Sequence, residues 1–157
     1  LELSAAHDPL AAADAGSPWR LPLRLGYTYT RANFETGFES DFGAWGTVDE
    51  GDELPYLPEH RLFAEAGLER GPWRATLTAS GSSTVRTVAG QGPIPETESA
   101  GGYVVFGFAA GYDVTSGATL HLGVENLTDE TYVAARRPAG ARPGLPRTVQ
   151  LGLRVSR

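Results

Sequence analysis

At 157 residues, 41% of them hydrophobic and 20% charged, the chain has the length and balance of one domain. Its net charge of −6 is unevenly spread: all 19 acidic residues lie at or before Glu130 with seven Arg, giving −12, and six Arg without an acid follow, giving +6. A surface that mostly repels phosphate argues against nucleic acid as a partner. The absence of Cys removes disulfides and thiolate metal sites, and no apolar run of about 18 residues could form a transmembrane helix. That leaves a transmembrane barrel open, because barrel strands need only about 9–11 alternating residues. No secretory signal is present, no Met occurs and the chain begins at Leu1, so a fragment or processed product is expected.

In chain order, Leu1, Leu3 and Ala5 alternate with Glu2, Ser4 and Ala6, a short strand. His7 to Pro18 reads as a connection. Leu21, Leu23, Leu25, Tyr27 and Tyr29 then line one face of a strand, opposite Arg24, Gly26, Thr28 and Thr30. The acidic, Gly-containing stretch from Phe34 to Pro55 reads as a loop. Leu62, Ala64, Ala66 and Leu68 form the next apolar face, and Arg70-Gly71-Pro72 a tight turn. Trp73, Ala75, Leu77 and Ala79 lead the following strand, against Arg74, Thr76 and Thr78. A second long loop covers Thr87 to Ser99. Val104, Phe106, Phe108, Ala110 and Tyr112 form another apolar face, and a short turn leads to Leu120, Leu122 and Val124. After a Pro- and Gly-rich segment, Val149, Leu151, Leu153 and Val155 close the pattern.

The expectation is an all-β, antiparallel meander of seven strands near residues 1–6, 20–33, 56–69, 73–86, 102–112, 118–126 and 147–155. After the first, the connections alternate long and short, so all long loops lie at one end of the sheet. Long loops at one end and tight turns at the other are the asymmetry of a large transmembrane β-barrel. Leu23, Leu25, Leu77, Phe106, Phe108, Leu122 and Leu151 are then expected on the convex, lipid side, and Arg24, Thr76, Thr78, His121 and Gln150 on the concave side. A soluble sandwich or barrel that binds a small ligand is the alternative, with a structural or adhesive outer-membrane barrel behind it.

One hairpin carries a resemblance. VENLTDETYV, then RRPAGARPGLPR, then an amphipathic strand (Asn-Leu-x-Asp-x-x-Tyr from Asn126, Pro-Gly-x-Pro-Arg from Pro143) resembles the C-terminal end of TonB-dependent outer-membrane receptors. It is most similar to the ferric dicitrate branch. Thr128 stands where the family usually has an aromatic, and Arg157 where it usually ends in Phe. The resemblance implies that residues 1–157 are the C-terminal part of a receptor barrel, with the plug domain and earlier strands absent. It further implies a bacterial outer-membrane transporter, not an enzyme, that imports a ferric chelate, with no cofactor beyond that cargo. The implied partners are outer-membrane lipid, lipopolysaccharide and an energy-coupling periplasmic protein reached through the missing N-terminal part.

For the site, Arg136, Arg137 and Arg142 lie in an acid-free loop, and guanidinium groups bind carboxylates in a bidentate way. They are the candidate ligand-binding residues, while Arg147 reads as structural. No catalytic or metal site is expected. No Ser sits on a nucleophile turn, His121 and Glu125 read as polar residues facing a wet lumen, and the run Asp49, Glu50, Asp52, Glu53 lacks an EF-hand spacing. Asn126 is expected to satisfy backbone groups at its turn.

Overall fold

A computed structural model describes residues 1–137 and 140–156. Seven strands form one antiparallel meander in chain order. They are β1 (Glu2–His7), β2 (Leu23–Tyr29), β3 (His60–Arg70), β4 (Trp73–Arg86), β5 (Ser99–Thr115), β6 (Ala118–Glu125) and β7 (Thr148–Val155). Two ribbons of two short strands, Phe38–Glu39 with Thr47–Val48 and Val133–Ala135 with Arg142–Pro143, lie within the loops. No second sheet packs on the first among the described residues, which is not the arrangement of a sandwich. The barrel is not closed: β1 and β7 are the free edges of the sheet.

Register fixes two faces, because side-chain parity is conserved across every paired row. One row reads Leu23, Ala66, Leu77, Phe108, Val124, Val149. The next row toward the loops reads Leu25, Ala64, Ala79, Phe106. Rows of the other parity read Arg24, Glu65, Thr78, Gly107 and Thr76, Ala109, Gly123, Gln150. The two sets predicted to separate do so, with His121 opposite Gly111 and Arg74 on the polar face. Leu25, Leu77 and Leu151 are 51%, 45% and 80% exposed, so the apolar face covers nothing in this chain.

The strand limits move for local reasons. The expected strand 20–33 is interrupted: Trp19–Arg20 pairs with Glu69 and Arg70, and the ladder resumes at Leu23. Pro22 has no N–H for the ladder, and its carbonyl instead accepts the Gly67 N–H at 2.8 Å. The strand expected from residue 56 starts at His60, since Tyr56 adopts φ +59 and Pro58 lacks a donor. β5 is longer than predicted at both ends. The connection after β1 holds a one-turn helix, Pro9–Ala13, whose cap Asp8 accepts the Ala11 N–H at 3.0 Å. Gly71, at φ +54, occupies the first central position of the two-residue hairpin loop, where glycine is favoured.

The start of β5 depends on Gly101, at φ +76, where an added Cβ would lie 2.8 Å from the Ser83 carbonyl oxygen. Gly101→Ala therefore combines left-handed strain with a backbone clash. It should lower the unfolding free energy of the full-length protein by about 1–3 kcal/mol in a urea titration. An unchanged transition would contradict this placement.

Candidate functional site

The long connections β2–β3, β4–β5 and β6–β7 share one end of the sheet and knit into a single cap. In the first, four aromatic rings (Phe34, Phe38, Phe42 and Trp45) meet edge to face with centroids 5.4–5.8 Å apart. Ala44 and Val48 beneath them are buried. The buried apolar residues of the described chain (these two with Val85 and Ala100) all lie at this end. The chain's own core is therefore at the loop end of the sheet, in the loops and the strand ends that meet them.

The second loop is stitched to the first through backbone: Ala89 N–H donates to the Ala44 carbonyl and Glu53 N–H to the Gly90 carbonyl, each at 2.9 Å. At their junction Arg86, only 4% exposed, pairs with Glu53 at 2.8 Å and donates to the Gly92 carbonyl at 2.7 Å. A buried guanidinium is tolerable only when paired and hydrogen-bonded. Asp52, in the same acidic run as Glu53, is also tied to the loops. The Asp52 carboxylate accepts from Asp49 N–H at 3.0 Å and from Gln91 at 3.1 Å. No cluster of three metal-ligating side chains occurs among the described residues.

The third loop begins at Asn126, buried and at φ +49. Its amide donates to the carbonyls of Glu130 and Leu145, at 2.9 and 2.8 Å, and accepts the Glu130 N–H at 2.8 Å. This is the backbone-satisfying role expected of it. Arg147 N–H donates to Asp129 at 2.9 Å, and its guanidinium lies 3.7 Å from the same carboxylate, a structural pairing. Tyr132 stacks on Tyr103 of the polar face at 4.0 Å. Burial, and then the neighbouring Tyr103, raise the Tyr132 hydroxyl above the ordinary phenol range.

The three candidate arginines are not equivalent. Arg136 is half-buried and acts as a clamp: Nε donates to the Ser99 carbonyl at 2.6 Å, Nη2 to the Glu96 carbonyl at 2.8 Å, and its backbone N–H to the Tyr56 hydroxyl at 3.2 Å. Arg137 Nε donates to the Thr87 carbonyl at 3.3 Å and helps line a cleft of about 620 Å³ with Phe42, Trp45 and Tyr56. Arg142 is exposed, in the short ribbon opposite Ala135, with no side-chain hydrogen bond among the described residues. None of the three has a carboxylate within 4.0 Å among the described residues, so their charge is uncompensated. The interlocking by Arg86 and Arg136 was missed from sequence, since Glu53 is distant along the chain from Arg86 and the carbonyl partners of Arg136 leave no charge pattern to find.

His121 and Glu125 do not form a site. His121 Nε2 is buried without a hydrogen-bond partner among the described residues, near a cluster in which Asp113 pairs with Arg74 and accepts the Thr119 hydroxyl at 2.6 Å. Glu125 is exposed at the far end of β6, opposite Thr148.

Asn126→Ala removes all three anchoring bonds at once. It should loosen residues 127–147 by about 1–3 kcal/mol, read as faster amide exchange at Glu130 and earlier proteolysis in that loop. Wild-type protection at Glu130 would contradict the anchor.

Comparison with known proteins agrees with this architecture. The model of the family described as "TonB dependent receptor-like, beta-barrel" matches residues 1–127. No curated protein sequence matches the chain. Among solved structures, the ferric-catecholate import receptor Fiu from E. coli K12 superposes with a TM-score of 0.71 at 25% identity, over 98% of this chain and 20% of that one. The siderophore receptor PiuA from Acinetobacter baumannii gives 0.71 at 20% identity, over 98% and 21%. The chain thus spans about one-fifth of the length of these receptors. It belongs to the TonB-dependent receptor family, as part of the β-barrel.

Proposed function

We propose that residues 1–157 are the C-terminal barrel portion of an outer-membrane receptor that captures an anionic ferric chelate and imports it with inner-membrane energy. The observation that carries this reading is the cap: three loops on one end of a two-faced sheet, with three uncompensated guanidinium groups among them. In such a barrel the apolar face meets lipid, the polar face meets the lumen, and the cap is extracellular. The dimensions agree. β3 has 11 residues from His60 to Arg70, and its steps span ~26 Å along the membrane normal at ~3.4 Å per residue and a tilt of about 40°. That matches an apolar band of about 25 Å. Aromatic residues border both rims, Tyr27 and Tyr29 beside His60 and Trp19, Trp73 and Tyr112 beside Arg70.

An iron chelate as cargo is supported by the likeness to Fiu, described as a ferric-catecholate import receptor, and to PiuA, described as a siderophore receptor. The last hairpin's resemblance to the ferric dicitrate branch favours a carboxylate-rich chelate, which Arg137 and Arg142 would meet by charge and bidentate hydrogen bonds. Arg136 contributes charge and holds the loops together. An energy-coupling periplasmic protein and lipopolysaccharide complete the proposed partners.

Replacing Arg136, Arg137 and Arg142 together with Ala in the full-length receptor should weaken ferric citrate binding by about 1–3 kcal/mol, most at low ionic strength. Arg142→Ala alone tests charge without disturbing the clamp and should have a smaller, salt-sensitive effect. Unchanged affinity at low salt, with the barrel folded, would assign these residues to loop architecture.

A further inference from the structure

The apolar face carries one permanently charged side chain among the described residues. Its rows present Leu, Ala, Val, Phe, Tyr and Trp, with His7 and His60 near the rims, and Arg70 at the turn end. Arg70 is the last residue of β3, paired with Trp19 on one side and Trp73 on the other. Its Cζ lies 4.8 Å from the centroid of the Trp19 ring. Trp73 packs on Tyr112 with the rings tilted and their centroids 4.2 Å apart, and is 63% exposed.

No carboxylate lies within 4.0 Å of Arg70 among the described residues; the nearby pairs Arg24–Glu65 and Arg74–Asp113 belong to the opposite face. The ring N–H groups of Trp19 and Trp73 make no hydrogen bond among those residues either. Arg70, Trp73 and Tyr112 lie on inner strands of the sheet, and Trp19 pairs with Arg70 on one side only, beside the short helix Pro9–Ala13; the exposed side of Trp73 and Arg70 meets the medium outside the barrel. A cation on a lipid-facing surface is costly unless it reaches an anionic group at the interface. The phosphodiester of a phospholipid sits at that depth and matches the guanidinium fork.

The inference rests on the reading that this face meets lipid and that the tight turns lie on the periplasmic side. We propose that Arg70, Trp19, Trp73 and Tyr112 form a binding site for the headgroup of one inner-leaflet glycerophospholipid. Arg70 holds the phosphate, the indole N–H groups and the Tyr112 hydroxyl face the headgroup layer, and the acyl chains run over Leu68 and Ala75. At the opposite rim the Tyr27 hydroxyl and His60 hydrogen-bond to each other, Tyr29 reaches Glu59, and Arg31, exposed two residues beyond Tyr29, lies outside the paired rows.

The test uses the full-length receptor, delipidated in detergent and titrated with phosphatidylglycerol or phosphatidylethanolamine under native mass spectrometry. Wild type should hold one phospholipid. Arg70→Gln should lower its occupancy about tenfold, and Arg70→Lys, which keeps the charge but not the fork, about threefold. Arg24→Gln, on the other face, should change nothing. Equal occupancy in wild type and Arg70→Gln overturns the site, as does retention of lipopolysaccharide in place of phospholipid. Should the Gln variant not fold, the Lys variant decides, and wild-type occupancy there overturns the site. A benzophenone side chain at position 77 tests the underlying reading separately. Phospholipid crosslinking at 77 with Arg70-independent occupancy sinks the lipid site alone, whereas no crosslinking sinks the facing of the sheet.

Discussion

Everything in this chain depends on parity along the backbone ladder. Each of the six strand pairings joins residues of the same face, so a single register defines an apolar surface and a polar one across all seven strands. A slip of one residue in any strand would put Leu and Phe among Arg, Thr and Gln. Tight turns protect that register at one end. The polar rows also protect it through cross-strand pairs such as Arg24 with Glu65 and Arg74 with Asp113. The apolar rows are left with no internal partner, which makes the surrounding medium part of the fold.

The loop cap solves a different problem. Long loops without a core would be expensive to order, yet these are bound into one body by a small aromatic core and by side chains that satisfy backbone groups. Arg86 joins the first two loops through Glu53 and Gly92. Arg136 joins the third loop to the second through Ser99 and Glu96. Asn126 fixes where the third loop leaves the sheet. In the proposed receptor such a pre-ordered cap would cost less to organise around a ligand, and Arg136 and Arg137 bond to carbonyls rather than carboxylates.

The strands and their faces were legible in the sequence because alternation reports directly on a sheet with unlike sides. Loop ends were less so. Pro22 interrupts a run that alternates well on either side of it, and β5 begins at Ser99, ahead of the expected residue 102, with Gly101 and Gly102 at positive φ. The candidate arginines were found by charge, but charge cannot distinguish Arg136, tied to carbonyls, from exposed Arg142. Arg70 escaped notice because it reads as part of a turn; its pairing with Trp19 and Trp73 emerges only from the register.

The central claim is that the face bearing Leu77 meets lipid and the face bearing Thr76 does not. Nitroxide labels placed one at a time at residues 74–79 of the full-length receptor in bilayers test it most directly. Oxygen accessibility should alternate with a period of two, with maxima at Ala75, Leu77 and Ala79 and minima at Arg74, Thr76 and Thr78. Maxima on Arg74, Thr76 and Thr78, or no alternation, would contradict the account.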